Sequence, residues 1–180
     1  MAADRNRLGI LLFILSEATF FAILITAQLY SHGVPNHTAS SLEVVRTLFF
    51  SVFLLASSIS VALAGRNLRH RRLGAARFWL GVTIVLGIIF LFGQLTEYRQ
   101  LNSENIWIDT DVFSMTFYTL TGFHGLHVLA GLIALTILLK FANETQGERS
   151  SAVETISYYW HFVDGMWIII FTVVYLLSAL

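Results

Sequence analysis

The chain has 180 residues, no net charge, no cysteine and one proline, and 56% of its residues are hydrophobic whereas only 12% are charged. Soluble domains carry about 25% charged residues, so this composition indicates a membrane protein with several spans and excludes a disulfide framework and thiolate chemistry. The zero net charge gives no electrostatic reason to bind nucleic acid.

Five apolar stretches are long enough to cross a bilayer, which takes about 20 residues per helix. They cover residues 8–30, 46–65, 77–98, 112–140 and 155–179. None of them alternates as a barrel strand does, so we predict an all-α bundle of five transmembrane helices that forms one domain over residues 1–180. The first stretch begins like a secretory signal, but it contains Glu17 and is too long for one, so we interpret it as a retained helix.

Basic residues are distributed unequally between the two ends of these predicted helices. Two of them, Arg46 and Arg99, lie at one end, and the other nine lie at the opposite end, including Arg5, Arg7 and Arg149. Because basic loops stay in the cytoplasm, we predict a cytoplasmic N-terminus and a C-terminus outside. The most basic loop is predicted over residues 65–77, and it contains four candidate contacts for anionic lipid headgroups: Arg66, Arg69, Arg71 and Arg72.

Five ionisable side chains fall inside the predicted spans: Glu17, His124, His127, His161 and Asp164. With a rise of about 1.5 Å per residue, all five come to a similar depth, at or just on the cytoplasmic side of the membrane midplane. A charged residue at a helix centre costs about 2.5–3.5 kcal/mol on insertion scales, so these side chains should face protein rather than lipid. We therefore predict that the first, fourth and fifth helices bring them together as an intramembrane polar network.

Several chemical functions are open to such residues. The two histidines of the fourth span share a helix face and could bind a metal together with the carboxylates, although the Glu-x-x-His pattern of di-iron bundles is absent. Two facing histidines could hold a haem, and a chain of ionisable groups could conduct protons. Hydrogen bonds between packed helices are the ordinary function of such groups.

Small residues recur in the middle spans and predict close approach of helices. They are the serine-containing segment 56–60 and six glycines, namely Gly81, Gly87, Gly93, Gly122, Gly125 and Gly131.

Motifs along nearly the whole chain resemble subunit III of haem–copper terminal oxidases. They are, in order, ILSEATFF at 14–21, LLASS at 54–58, LGIIFLFGQLTEY at 86–98, TFYTLTGFHGLHVLAG at 116–131 and ETISYYWHFVDGMW at 154–167. The last two are the most specific, whereas the serine pair alone is weak. Many family members have seven helices, and the chain is similar to their short five-helix bacterial form.

The resemblance implies an accessory subunit without redox centres of its own. Such a subunit packs against the catalytic subunit I in a complex that also holds subunit II, binds phospholipid, and supports proton uptake and the durability of the active site. The haems and copper belong to the partner subunits, the electron donor is cytochrome c or quinol, and the location is the bacterial inner membrane. The family motifs also imply positions near the surface at Gln94, Glu97, Tyr98, Glu154 and Trp160. The alternatives are a subunit III-like component of a nitric oxide reductase and a haem- or metal-binding membrane enzyme.

Overall fold

The computed structural model describes residues 2–33, 42–140 and 146–179, with side chains described for 8–33, 42–140 and 152–178. The five helices are α1 (Ala2–Ser31), α2 (Val44–Arg69), α3 (Leu73–Ser103), α4 (Val112–Lys140) and α5 (Gln146–Phe171). A π-helical turn, Thr172–Leu176, and a 3₁₀ turn, Leu177–Ala179, continue α5. All five helices are long and apolar enough to cross a membrane, which confirms the predicted all-α membrane bundle.

Four of the five described helices extend beyond the predicted apolar stretches, and α4 has the predicted bounds, 112–140. The basic loop predicted over residues 65–77 is wrong in length, because only residues 70–72 lie between α2 and α3. Hydropathy detects where apolar residues end, whereas Arg and Leu are good helix formers that continue a helix into the membrane interface. Arg66 and Arg69 consequently lie in the last turn of α2, where a cation complements the negative end of the helix dipole.

A tight turn joins α2 and α3. Arg71 has a φ of 58°, in the left-handed region. The backbone N–H groups of His70 and Arg71 donate to the carbonyls of Arg66 and Leu68 at 3.2 and 2.9 Å. These bonds satisfy carbonyls that the end of a helix leaves without partners. The four arginines predicted to contact lipid headgroups are all exposed at this end of the bundle, while the side chains of Arg5, Arg7 and Arg149, used in the orientation prediction, lie outside those described.

The helix α5 occupies the centre of the bundle and α1 its edge. In an 18-residue stretch of each membrane span, 56% of the residues are buried in α5 and 6% in α1. The helix α5 packs against α1, α2 and α4. Large aromatic side chains fill the interior, and Trp160, Trp167, Tyr175, Phe90 and Phe117 are all fully buried. The core residues of α5 therefore meet groups from the surrounding helices.

Close approach at the glycines is confirmed for four of the six predicted positions. An added Cβ would come within 2.8 Å of a neighbouring side chain at Gly87, Gly93, Gly125 and Gly131. At Gly81 it would meet nothing within 4 Å, and at Gly122 only the Tyr98 hydroxyl at 3.9 Å. Gly87 and Gly131 both face Trp160, so these two glycines make the space for the central indole.

Candidate functional site

Glu17 and His127 join α1 to α4. His127 Nε2 lies 3.0 Å from Glu17 Oε2, and its Nδ1 lies 2.7 Å from the carbonyl oxygen of Phe123. Since a carbonyl can only accept, Nδ1 carries a proton, and Nε2 either accepts from a protonated Glu17 or donates to its carboxylate. In both states one proton lies between the two side chains. Tyr159 of α5 donates to the His127 carbonyl at 2.9 Å, so three helices meet here.

His161 and Asp164 meet a different helix. Ser58 of α2 lies 2.9 Å from His161 Nδ1, and its hydroxyl donates to Asp164 Oδ2. The Asp164 side chain is 2% exposed, and its Oδ1 has no hydrogen-bond partner among the described residues. One serine thus connects the two polar side chains of α5 to α2.

The third predicted histidine is separate from both groups. His124 is fully buried, stacks on Trp167 with ring centroids 4.8 Å apart, and meets the edge of Phe90. Neither of its ring nitrogens has a hydrogen-bond partner in the part of the chain that the structure describes.

The structure therefore does not bring the five side chains into one hydrogen-bonded network. It forms a pair between α1 and α4 and a three-residue group between α2 and α5. The reason is the direction in which each side chain points from its helix. Residues three apart on a helix differ by about 60° around its axis, enough to turn His127 toward α1 and His124 into the core.

Burial corrects the predicted surface positions of Glu97 and Gln94. Glu97 is 3% exposed. It accepts hydrogen bonds from Thr47 on Oε1 at 3.1 Å and from Tyr175 on Oε2 at 2.7 Å. Gln94 is 8% exposed, and it donates to the Thr121 carbonyl at 2.6 Å. These contacts join α3 to α2, α4 and the π turn after α5, so Glu97 lies near the end of its span by depth but inside the bundle by direction.

The remaining motif positions, Trp160, Tyr98 and Glu154, differ in how deeply they are buried. Trp160 is fully buried rather than at the surface, and its indole N–H donates to Ser57 at 2.8 Å. Tyr98 is half-buried and lies 2.7 Å from the Thr121 hydroxyl. Glu154 is half-buried at the other end of the bundle, where it accepts from Tyr158 at 3.3 Å.

The sequence interpretation missed the polar function of the α2 serines. They form a serine seam of four residues: Ser51, Ser57, Ser58 and Ser60. Besides the contacts of Ser57 and Ser58 given above, Ser51 accepts the Trp167 indole N–H at 2.8 Å, and Ser60 lies 2.7 Å from the Thr83 hydroxyl. Their recurrence along one helix was a usable signal, but small residues were interpreted only as space for close packing.

These contacts can hold helices together and position protons, and they do not assemble a metal-ligand set. Among the described residues, no three His, Asp or Glu side chains come together as potential ligands of one ion. Each ionisable group instead meets a hydroxyl, an aromatic ring or a single ionisable partner. Hydrogen bonding between helices is therefore the chemistry that this arrangement supports.

Comparison with known proteins gives matches along almost the entire chain. The family described as cytochrome c oxidase subunit III matches residues 2–179. The cytochrome c oxidase subunit 3 of Synechocystis sp. is 36% identical, with 97% of this chain and 76% of the relative covered. The corresponding protein of Corynebacterium diphtheriae is 33% identical, with coverages of 94% and 87%. The cytochrome bo(3) ubiquinol oxidase subunit 3 of Pseudomonas aeruginosa is 32% identical, with coverages of 96% and 85%.

These relatives do not favour the nitric oxide reductase or the haem-enzyme alternative. The family match and the five-helix membrane bundle agree with the resemblance noted from the motifs. The chain belongs to the cytochrome c oxidase subunit III family and is an accessory subunit of an oxygen-reducing haem–copper oxidase complex.

Proposed function

We propose that the protein packs against the catalytic subunit I of its oxidase, in a complex that also contains subunit II, within a bacterial inner membrane. The haems and copper lie in those partners. The observation that carries this proposal is how the polar groups are used: Glu17 with His127, and His161 with Asp164, tie helices to one another. A subunit built this way contributes a rigid membrane surface rather than a reaction centre.

The subunit supports proton uptake and prolongs the active life of the catalytic subunit. The internal contacts of the bundle support the longer active life, because a catalytic subunit packed against a rigid bundle unfolds locally less often during turnover. The cytoplasmic N-terminus and the outer C-terminus follow from the basic residues, because nine of the eleven lie at one end.

Phospholipid binds at the turn between α2 and α3. Arg66, Arg69, Arg71 and Arg72 are exposed together there, and a cluster of basic side chains at the membrane surface attracts anionic headgroups. The electron donor to the complex is cytochrome c or a quinol, since relatives named for each donor resemble the chain to a similar degree.

Affinity purification of the tagged chain under mild detergent tests the proposal. Subunits I and II should co-purify, and the haem absorption should follow them rather than the isolated chain. Removing this subunit should leave initial oxygen consumption intact but shorten its duration. A Soret band in the isolated chain, or an oxygen-electrode trace that matches the intact complex throughout, would contradict it.

A further inference from the structure

One ionisable side chain faces outward from the middle of the bundle. His161 is exposed and lies nine residues beyond Ala152, where the α5 span begins, which is about 14 Å along the axis. We compared the described ionisable residues (Asp, Glu, His, Lys and Arg) that lie more than five positions from either end of a membrane span. Among these residues, His161 is the only exposed one. Intramembrane ionisable residues almost always face protein or a water-filled cavity, so lipid alone does not suit this position.

The orientation of the ring fixes what that neighbour must supply. When Asp164 is a carboxylate, the single Ser58 hydroxyl proton goes to its Oδ2, so the Ser58 oxygen accepts from His161 Nδ1 at 2.9 Å. A neutral imidazole with its proton on Nδ1 has a lone pair on Nε2. Among the described residues, the hydrogen-bond contact of the His161 ring is the one at Nδ1. The missing partner is therefore a hydrogen-bond donor.

The surface around His161 is shaped for close approach. A cavity of about 180 Å³, the α2–α5 groove, is lined by Ala62, Gly65, Ser157, Tyr158 and His161, among others. One turn beyond His161 on the same helix, Gly165 is exposed, and an added Cβ there would meet no atom within 4 Å. Small residues are the usual contact surface of transmembrane helices, because they let backbones approach.

We propose that a transmembrane helix of another subunit of the oxidase occupies the α2–α5 groove, packs over Ala62, Gly65 and Gly165, and donates a hydrogen bond to His161 Nε2. A lipid does not meet this requirement, since an acyl chain has no donor and its headgroup lies at the interface, about 14 Å away. The donor is a hydroxyl, indole or amide at the depth of His161. This inference rests on the proposed function, because it needs a complex.

Photocrosslinking in the intact complex tests the location. A benzoylphenylalanine at Ala62 should crosslink to another oxidase subunit, whereas the same probe at the exposed Ile133 of α4 serves as the control position. Crosslinks to protein from residue 133 with only lipid adducts from residue 62 would overturn the proposed surface while leaving the proposed function standing. If no oxidase subunit co-purifies with either variant, the proposed function itself fails.

A matched pair of glycine variants tests the packing. At both Gly165 and Gly81 an added Cβ would meet nothing within 4 Å apart from its own stretch of helix, so Gly165→Leu and Gly81→Leu should both fold, and the isolated chains should unfold at the same temperature. Only Gly165→Leu should reduce co-purification of the other subunits, by about tenfold for a loss near 1.4 kcal/mol. Equal recovery with both variants would refute the packing of a partner helix over Gly165.

Discussion

Gly131 and Trp160 make a close contact in the interior, and Gly131→Ala should destabilise the chain by about 1–3 kcal/mol, the usual cost of overpacking a core. The added Cβ would lie 2.7 and 2.8 Å from two ring carbons of Trp160. The indole has no room to move away, because it is fully buried and its N–H donates a hydrogen bond to the Ser57 hydroxyl at 2.8 Å. The same ring also faces Gly87, where an added Cβ would lie 3.1 Å from it.

Gly122→Ala is the matched control for this prediction. It lies on the same helix and gains the same helix propensity, about 0.5–1 kcal/mol, but its added Cβ would be 3.9 Å from the neighbouring Tyr98 hydroxyl. Titration of the purified variants with SDS, followed by circular dichroism, should show Gly131→Ala unfolding at a lower detergent fraction. Coincident transitions for the two variants would refute the claim that this contact is rigid.

Three further outcomes follow from the polar contacts. Glu17→Gln should leave assembly intact, because the amide can still donate to His127 at the site of the 3.0 Å contact; loss of co-purification with the catalytic subunit would contradict this. Asp164→Leu should weaken the complex on blue-native gels, since it removes the acceptor of the α2 serine, and an unchanged band would count against the contact. Tyr175→Phe should lower the free energy of unfolding by about 1–3 kcal/mol, because it leaves the buried Glu97 oxygen without its donor; an unaltered unfolding transition would argue that this hydroxyl is replaceable.

The sequence predicted the fold class more reliably than the partners of the polar groups. Five spans were read correctly because a helix crossing a bilayer needs a minimum length of apolar residues. The ends were less accurate: α3 runs from Leu73 to Ser103 instead of 77–98, since helices continue into the interface after hydropathy has fallen. Orientation relative to the cytoplasm stays a prediction from charge.

Sequence patterns predicted only some of the contacts in the candidate site. Glu17 and His127 are predicted to meet and do so, but His124 is turned about 60° away from His127 around the helix axis and stacks on Trp167. Serines on α2 were interpreted as small spacers, although Ser58 connects His161 to Asp164. A serine in the sequence does not indicate whether its hydroxyl forms a hydrogen bond with its own helix or with a neighbouring one.

By itself, the sequence determined that the described chain has five helices long and apolar enough to cross a membrane, because that depends only on the length and composition of each apolar stretch. Tertiary structure decided which face of each helix points to which neighbour. It buried Trp160 and Glu97 inside the bundle and left His161 on its outer surface. The physical reason is that azimuth is set by how side chains from several helices fill one another's spaces, with Gly87 and Gly131 making room for a single indole.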